Sequence, residues 1–203
     1  MDQRTDEQLF GDYRRGQADA FRTLIDRHHD DLLRFLIRLV GGRQAAEDVF
    51  QETFLQIHTS GDSFDVERRF RPWLFTIAAN KGRDHLRKKG RRQVMELSAP
   101  VGGRSGGDES TTFIDLLQIE LPPPESGMEA GERERQVQAA LAELSHPLRE
   151  ILLLSYFNRL TYAQIAEELG IPLGTVKSRL HAAVATFAKR WQEVRERTDQ
   201  GER

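Results

Sequence analysis

The sequence contains no cysteine and has only two tryptophans, three tyrosines and three methionines. Without cysteine it cannot form a disulfide framework or a thiolate metal site. No stretch approaches the roughly 20 apolar residues of a membrane-spanning helix. The opening residues, MDQRTDEQLF, also lack the apolar run of a signal peptide. These absences exclude a disulfide-stapled scaffold and membrane insertion, and we expect a cytoplasmic protein.

Strand-like alternation of apolar and polar residues does not extend over a useful length anywhere in the chain. Apolar residues instead recur at helical spacing, first over residues 21–39, then from Ala45 to Ile57, and again after Pro72. We therefore predict an all-α fold with two small helical domains, residues 1–92 and 133–203. An acidic flexible linker over residues 93–132 would join them.

Charge is segregated along the chain, although the formal net charge is only −2. Residues 93–134 hold nine acids and two basic residues, whereas the segments on either side are slightly basic. The middle segment is also rich in Gly, Pro and Ser, a composition that cannot bury enough apolar surface to fold alone. The near-neutral average therefore does not exclude a nucleic-acid partner.

Residues 161–181, TYAQIAEELGIPLGTVKSRLH, have the pattern of a helix-turn-helix. Thr161 and Gln164 are placed to form a capping box, and Gly170 permits the positive φ of a tight turn. Pro172 suits the start of the second helix. That helix would point polar and basic side chains outward, toward phosphates and base edges: Thr175, Lys177, Ser178, Arg179 and His181. The alternative is a plain helical hairpin with a solvated basic face, but the combined signals favour DNA binding.

Two further segments lie in the first domain. Residues 71–92 hold eight Lys and Arg with one acid, and Phe70, Trp73 and Phe75 lie among them. Basic groups interleaved with aromatic rings suit single-stranded DNA, although we expect core packing for part of Trp73 and Phe75. The segment AAEDVFQETFLQI, residues 45–57, places its acids on one helix flank, which alone would be read as a solvated face.

Three segments, taken in their order along the chain, resemble the extracytoplasmic-function (ECF, group 4) sigma factors of the sigma-70 family. They are AAEDVFQETF, WLFTIAANKGRDHLR and GIPLGTVKSRLHAA. The resemblance covers about residues 18–92 and 133–191. It implies a sigma-2-like bundle, a linker and a sigma-4-like helix-turn-helix domain. The sequence departs from the family pattern at Ala45, where an acid is usual, and at Gly82, where glycine costs a helix about 1 kcal/mol relative to alanine.

The resemblance implies a bipartite promoter-binding protein that directs transcription initiation by core RNA polymerase. The first domain would bind the β′ coiled coil of the polymerase through Glu47, Asp48, Gln51, Glu52, Phe54 and Leu55. It would capture the melted −10 element with Ser63, Phe64, Arg71, Trp73, Asn80, Lys81, Arg83, Arg87 and Lys88. The second domain would contact the β flap and read the −35 element, with Arg149 and Thr161 adding phosphate contacts beside the recognition helix. An anti-sigma protein is a further implied partner, and no cofactor, metal or catalytic residue is expected.

Three alternatives are each disfavoured by the sequence. A response-regulator activator would use a similar helix-turn-helix, but its receiver domain would need strands that residues 1–92 do not show. A metal enzyme is suggested by the adjacent His28 and His29, but neighbouring histidines on a helix point to different faces and lack a third ligand. An adaptor that binds polymerase without DNA is disfavoured by the Lys and Arg runs in both domains.

Overall fold

The computed structural model describes residues 3–61, 64–65, 68–90, 127–158 and 160–201. These residues form two separate compact units, one within residues 1–97 and the other within residues 98–203. The first unit contains α1 (Asp6–Arg14), α2 (Ala18–Val40), α3 (Arg43–Ser60) and α4 (Phe70–Gly90). The second contains α5 (Gly127–Ala142), α6 (His146–Asn158), α7 (Tyr162–Leu169) and α8 (Leu173–Gly201). No strand occurs in these described ranges, and the all-α fold class is confirmed.

Helix α1 was not predicted from the sequence. A capping box defines its start: the Gln8 backbone N–H donates to Thr5 Oγ1 (3.2 Å), and the Thr5 N–H donates to Gln8 Oε1 (2.9 Å). Leu9 and Phe10 are fully buried against the rest of the unit. The helix is short and carries few apolar residues, so its periodicity is weak and the capping box is its main sequence signal.

Helices α2, α3 and α4 form the body of the first unit. Helix α2 buries most of the apolar residues that its periodicity predicted, whereas Phe21 and Ile25 are half-buried. The helix is capped by Gly41, whose φ of 85° is left-handed and favours glycine. Helix α4 approaches α2 closely at Gly82, where a Cβ would lie 2.7 Å from Leu39 Cδ2. Gly82, which departs from the family pattern, therefore has no side chain at the point where α2 and α4 touch.

The two adjacent histidines of α2 have different environments. His28 is buried, and its Nε2 lies 2.8 Å from Asp6 Oδ2, whereas His29 is exposed. Asp6 also accepts a hydrogen bond from Arg27 Nη1 at 2.6 Å. Burial raises the pKa of Asp6, but its bonds to His28 and Arg27 outweigh that effect, and the pKa lies below its usual value. His28 thus ties α2 to α1, and no group of residues in the described part of the chain is suited to hold a metal ion.

The second unit packs α5, α6 and α7 against the long helix α8. Its core includes Leu144, Ile151, Ile165, Val176 and Leu180, which are all at most 3% exposed. Helix α5 begins at Gly127, six residues before the predicted domain start, because the segment from Met128 is rich in Glu, Ala and Arg, which favour helix. Among the described helices, none is both long enough and apolar enough for a bilayer span.

Candidate nucleic-acid interface

A cleft of about 400 Å³ opens between α3 and α4 in the first unit. From α4 it is lined at helical spacing by Trp73, Ile77, Asn80, Lys81 and Asp84, and from α3 by Gln56 and Ser60. The Asn80 side chain is exposed, so its amide is available for a base edge. Amide, hydroxyl and aromatic groups around one concave space suit an unstacked base.

The aromatic residues beside this cleft belong largely to the core. The Phe64 ring centroid lies 4.5 Å from that of Trp73 and 5.2 Å from that of Phe10. Phe64 is only 4% exposed, whereas Trp73 is half-buried. Phe64 therefore lies inside the unit, and Trp73 combines core packing with a place on the cleft wall. Ser63 lies outside the described residues.

The basic residues of α4 fall into two groups. Arg71, in the first turn, donates to Asp31 Oδ2 of α2 at 2.9 Å, and its guanidinium lies 4.9 Å from the Phe75 ring centroid. Burial raises the pKa of Asp31, but its bonds to Arg34 and Arg71 outweigh that effect and bring the pKa below its usual value. Asp31 is therefore ionised at neutral pH. The other predicted DNA-binding residues with a basic side chain, Lys81, Arg83, Arg87 and Lys88, lie toward the end of α4, where Arg87 and Lys88 are exposed. This end provides a positive surface for phosphates.

Helix α3 presents a separate acidic face. Asp48, Gln51, Glu52 and Leu55 follow the i, i+3, i+4, i+7 spacing of one helix side, and all four are exposed. Leu55 is 63% exposed, which is unusual among the large apolar residues that the structure describes. Glu47 is exposed and pairs with Arg43 at 2.8 Å. Phe54 differs from the rest of the predicted set, since it is only 6% exposed and packs against Phe50 and Phe21.

In the second unit, α7 and α8 form the predicted helix-turn-helix. Thr161 caps α7 through the predicted box, with Gln164 N–H donating to Thr161 Oγ1 at 3.3 Å. Gly170 ends the helix with a φ of 62°. The first turns of α8 carry the five predicted recognition residues, of which His181 is exposed and Thr175, Lys177, Ser178 and Arg179 are half-buried. Residues 170–190 contain four Lys and Arg and no acid, so this face is positive.

Arg149 supports the fold of the second unit. Its Nη2 donates to the carbonyl oxygens of Ala142 (2.9 Å) and Leu144 (3.1 Å) at the end of α5. The side chain is half-buried, and burial lowers the pKa of its guanidinium. Lysine or arginine bound to the last carbonyls of a helix stabilises its end. The predicted phosphate contact of Arg149 would have to be made by a guanidinium that is bonded to these two carbonyl oxygens.

The sequence did not point to several residues of these surfaces. Gln56 and Ser60 were absent from the predicted site because they lie on α3, and only the packing of α3 on α4 brings them beside Asn80. Ile77 and Asp84 share the helical spacing of Trp73 and Asn80, which is a signal that could have found them. The contacts of α1 with the segment before α4 were likewise not predicted.

Two family models match the chain. The model described as Sigma-70 region 2 matches residues 24–92, which include most of the first unit. The model described as Sigma-70, region 4 matches residues 134–187, which include the helix-turn-helix. Together they span more than half of the chain.

Curated relatives match over almost the whole chain. The ECF RNA polymerase sigma factor SigW of Bacillus subtilis is 31% identical over 181 residues, which cover 89% of this chain and 94% of SigW. The ECF RNA polymerase sigma factor SigL of Mycobacterium tuberculosis is 36% identical over 181 residues, which cover 88% of this chain and 92% of SigL.

Solved structures share the fold. The structure of CnrH in complex with the cytosolic domain of CnrY aligns with a TM-score of 0.63 and 23% identity, over 91% of this chain and 95% of that chain. The sigma factor RpoE, in complex with the anti-sigma factor NepR from Bartonella quintana, aligns with a TM-score of 0.58 and 25% identity, over 87% and 96%.

Proposed function

The chain belongs to the ECF group of the sigma-70 family and directs promoter-specific transcription initiation with core RNA polymerase, and on that premise we propose how its two units divide the promoter. Residues 1–92 would bind polymerase and the −10 element, residues 133–203 would bind the −35 element, and residues 93–132 would link them. The response-regulator alternative is not favoured, because the family is that of sigma factors and the described part of the first unit contains no strand.

The cleft between α3 and α4 is the observation that carries the −10 assignment. We propose that it receives a base that leaves the stack when the duplex melts, with Asn80 contacting the base edge and Trp73 forming a wall. Lys81, Arg87 and Lys88 would hold the neighbouring phosphates. Arg71 would act mainly through its bond to Asp31, which fixes the first turn of α4 against α2.

The −35 element would be read as duplex DNA by the start of α8. Lys177, Ser178 and Arg179 would enter the major groove, as in other helix-turn-helix proteins. Thr161 and Arg149 are already bonded to the backbone of the unit, so their contribution would be to position the two helices and add phosphate contacts at the edge. Base preference would come from the recognition helix, because phosphate contacts carry no sequence information directly.

The acidic face of α3 would bind the polymerase. Exposed Asp48 and Glu52 offer charge to a basic partner, and Leu55 offers apolar surface at the same face. Glu47 and Gln51 would extend this contact, whereas the buried Phe54 would support it from below. The β′ coiled coil is the proposed partner here, and the β flap is the proposed partner of the second unit.

We propose that the protein catalyses no reaction itself and acts in the cytoplasm, where it would use binding energy to melt DNA for the polymerase. Two linked DNA contacts make binding depend on the spacing between the promoter elements. We also propose an anti-sigma protein as a partner, because the similar RpoE structure contains one.

The test compares Asn80→Ala with Gln17→Ala, which removes an exposed amide before α2 that makes no side-chain cap hydrogen bond. Promoter opening by the holoenzyme is measured with permanganate, which modifies unpaired thymines, on a promoter selected from a library with randomised −35 and −10 positions. Asn80→Ala should lower opening about tenfold, equivalent to ~1.4 kcal/mol, and leave binding to a −35 duplex unchanged. Equal losses in both assays, or equal effects of the two variants, would refute the −10 role.

A further inference from the structure

One side of α1 contacts both ends of the segment that joins α3 to α4. The residues that make these contacts are Glu7, Phe10 and Arg14. Their spacing of i, i+3 and i+7 places them on one side of a helix. Glu7 and Arg14 are not part of the buried core, so apolar packing does not explain why these two charged residues lie on this side of α1.

Glu7 contacts the end of the segment where α4 begins. The backbone N–H of Phe70, the first residue of α4, donates to Glu7 Oε1 at 2.9 Å. This N–H has no acceptor within the helix, and a carboxylate at a helix N-terminus is stabilised by the helix dipole. Glu7 therefore acts as an N-terminal cap that comes from a different helix, 63 residues away in sequence.

Phe10 and Arg14 contact the end of the segment nearer α3. Arg14 Nη1 donates to the Phe64 carbonyl oxygen at 3.3 Å. The Phe10 ring lies edge-on to Phe64, with 5.2 Å between ring centroids, and its Cζ would lie 3.2 Å from a Cβ at Gly61. A side chain and a main-chain carbonyl of the segment are thus both held by α1.

Helix α1 is itself fixed to α2. Asp6 accepts hydrogen bonds from Arg27 and from the buried His28 at 2.6 and 2.8 Å. Arg27 also donates to the Arg4 carbonyl oxygen at 3.0 Å. These bonds involve neither α3 nor α4, so the position of α1 has support independent of the segment that it contacts.

We propose that α1 is the positioning element for −10 recognition, and that Glu7 and Arg14 hold Phe70 and Phe64, which pack against Trp73 on the cleft wall. The proposal rests on the proposed −10 role of the cleft between α3 and α4. A cleft wall that is held in place before DNA arrives loses less conformational entropy on binding, so DNA is captured more tightly. Glu7 and Arg14 are positioning residues, which act through Phe70 and Phe64.

The direction in which Glu7→Ala changes promoter opening separates a positioning role from a direct effect of the charge. Removal of a negative charge near DNA would strengthen binding electrostatically. Positioning predicts the opposite, since Glu7→Ala leaves the Phe70 N–H without its acceptor. Glu7→Gln keeps an acceptor oxygen and should restore most of the function.

The experiment measures promoter opening by holoenzymes assembled from core polymerase and full-length variants, on the promoter selected from the randomised library. Glu7→Ala and Arg14→Ala should each lower opening about three- to tenfold, the range that one net hydrogen bond supports. Glu7→Gln should stay within about twofold of the unaltered protein. Arg15→Ala is the matched control, because Arg15 lies next to Arg14, is exposed and pairs with Asp12 instead of the segment.

Polymerase affinity and −35 duplex binding are measured in parallel and should be unchanged in all of these variants. The penalty for a wrong base at the −10 element should also shrink in Glu7→Ala and Arg14→Ala, which a general loss of folded protein would not produce. The exposed Arg14 keeps the test valid if Glu7→Ala does not fold.

The proposal is overturned if Glu7→Ala and Arg14→Ala behave like Arg15→Ala, if Glu7→Ala increases opening, or if polymerase and −35 binding fall as much as opening. Asn80→Ala on the same promoter separates the two hypotheses. If Asn80→Ala lowers opening while the α1 variants do not, the inference fails and the −10 role stands. If Asn80→Ala has no effect, the −10 role fails, and the inference that depends on it fails too.

Discussion

Gly82 provides a sharp test of the packing that places the basic end of α4. In an open helix interior, replacing glycine with alanine stabilises by about 0.8–1.0 kcal/mol. At Gly82 the new Cβ would lie 2.7 Å from Leu39 Cδ2 and 3.4 Å from Val40 Cγ1, and Leu39 is fully buried. Overpacking a core typically costs about 1–3 kcal/mol. We therefore expect Gly82→Ala to lower the free energy of unfolding of the first unit by about 1 kcal/mol.

Gly131 is the matched control, since it lies within α5 and a Cβ there would meet nothing within 4 Å. Gly131→Ala should raise the free energy of unfolding of the second unit by about 0.5–1 kcal/mol. Each unit holds one of the two tryptophans, Trp73 or Trp191. Urea unfolding followed by fluorescence in Trp191→Phe and Trp73→Phe backgrounds therefore reports on each unit separately.

A double-mutant cycle tests whether Leu39 is the cause. Leu39→Ala alone should cost about 2–5 kcal/mol, and in that background Gly82→Ala should become stabilising because the clash is gone. The effect of Gly82→Ala on the free energy of unfolding should differ by about 2 kcal/mol between the unaltered protein and the Leu39→Ala background, within the range for residues in contact. If Gly82→Ala stabilises the unaltered protein as much as Gly131→Ala does, the close approach of α2 and α4 is wrong.

Three further predictions concern both units. Burial raises the pKa of Asp6, but its bonds to α2 lower it more. Its stabilising effect is therefore present at neutral pH and is lost as pH falls below the ordinary value of 3.8. Asp6→Asn should lower the free energy of unfolding by about 1–2 kcal/mol at pH 7, and urea titrations should show this difference shrinking as the pH falls below 3.8. Thr161→Ala should cost the second unit about 1 kcal/mol by Trp191 fluorescence, and no loss would contradict its capping role. Arg179→Ala should weaken −35 duplex binding by about 1–3 kcal/mol and reduce its preference among −35 sequences, whereas Arg149→Ala should mainly destabilise the second unit; reversed effects would exchange their proposed roles.

Periodicity predicted the helices that bury a broad apolar face. Helix α2 is the clearest case, since five of its leucines and phenylalanines follow helical spacing and are fully buried: Leu24, Leu32, Phe35, Leu36 and Leu39. Helix α7 was predicted from local chemistry, because its cap and its turn glycine are set by neighbouring residues. Helix α1 was missed, although Thr5 and Gln8 form the same box as Thr161 and Gln164. Its short apolar face is completed by residues far away in sequence.

The sequence pattern predicted the exposed positions of the candidate site that lie at helical spacing. Asp48, Glu52 and Leu55 share an exposed side of α3, and Asn80 is exposed on the cleft. The burial of Phe64 was not predictable, because it depends on Phe10 of a helix more than fifty residues away. The bonds of Arg149 to the end of α5 likewise depend on how α5 and α6 meet.

The central claim is that this chain gives core polymerase a preference for a two-part promoter. The most direct measurement is transcription in vitro by core polymerase, with and without the full-length chain, on a library with randomised −35 and −10 positions. The claim predicts transcripts that depend on the chain and share two sequence elements at a fixed spacing. An active core that yields no transcripts dependent on the chain, or transcripts without a shared promoter sequence, would contradict it.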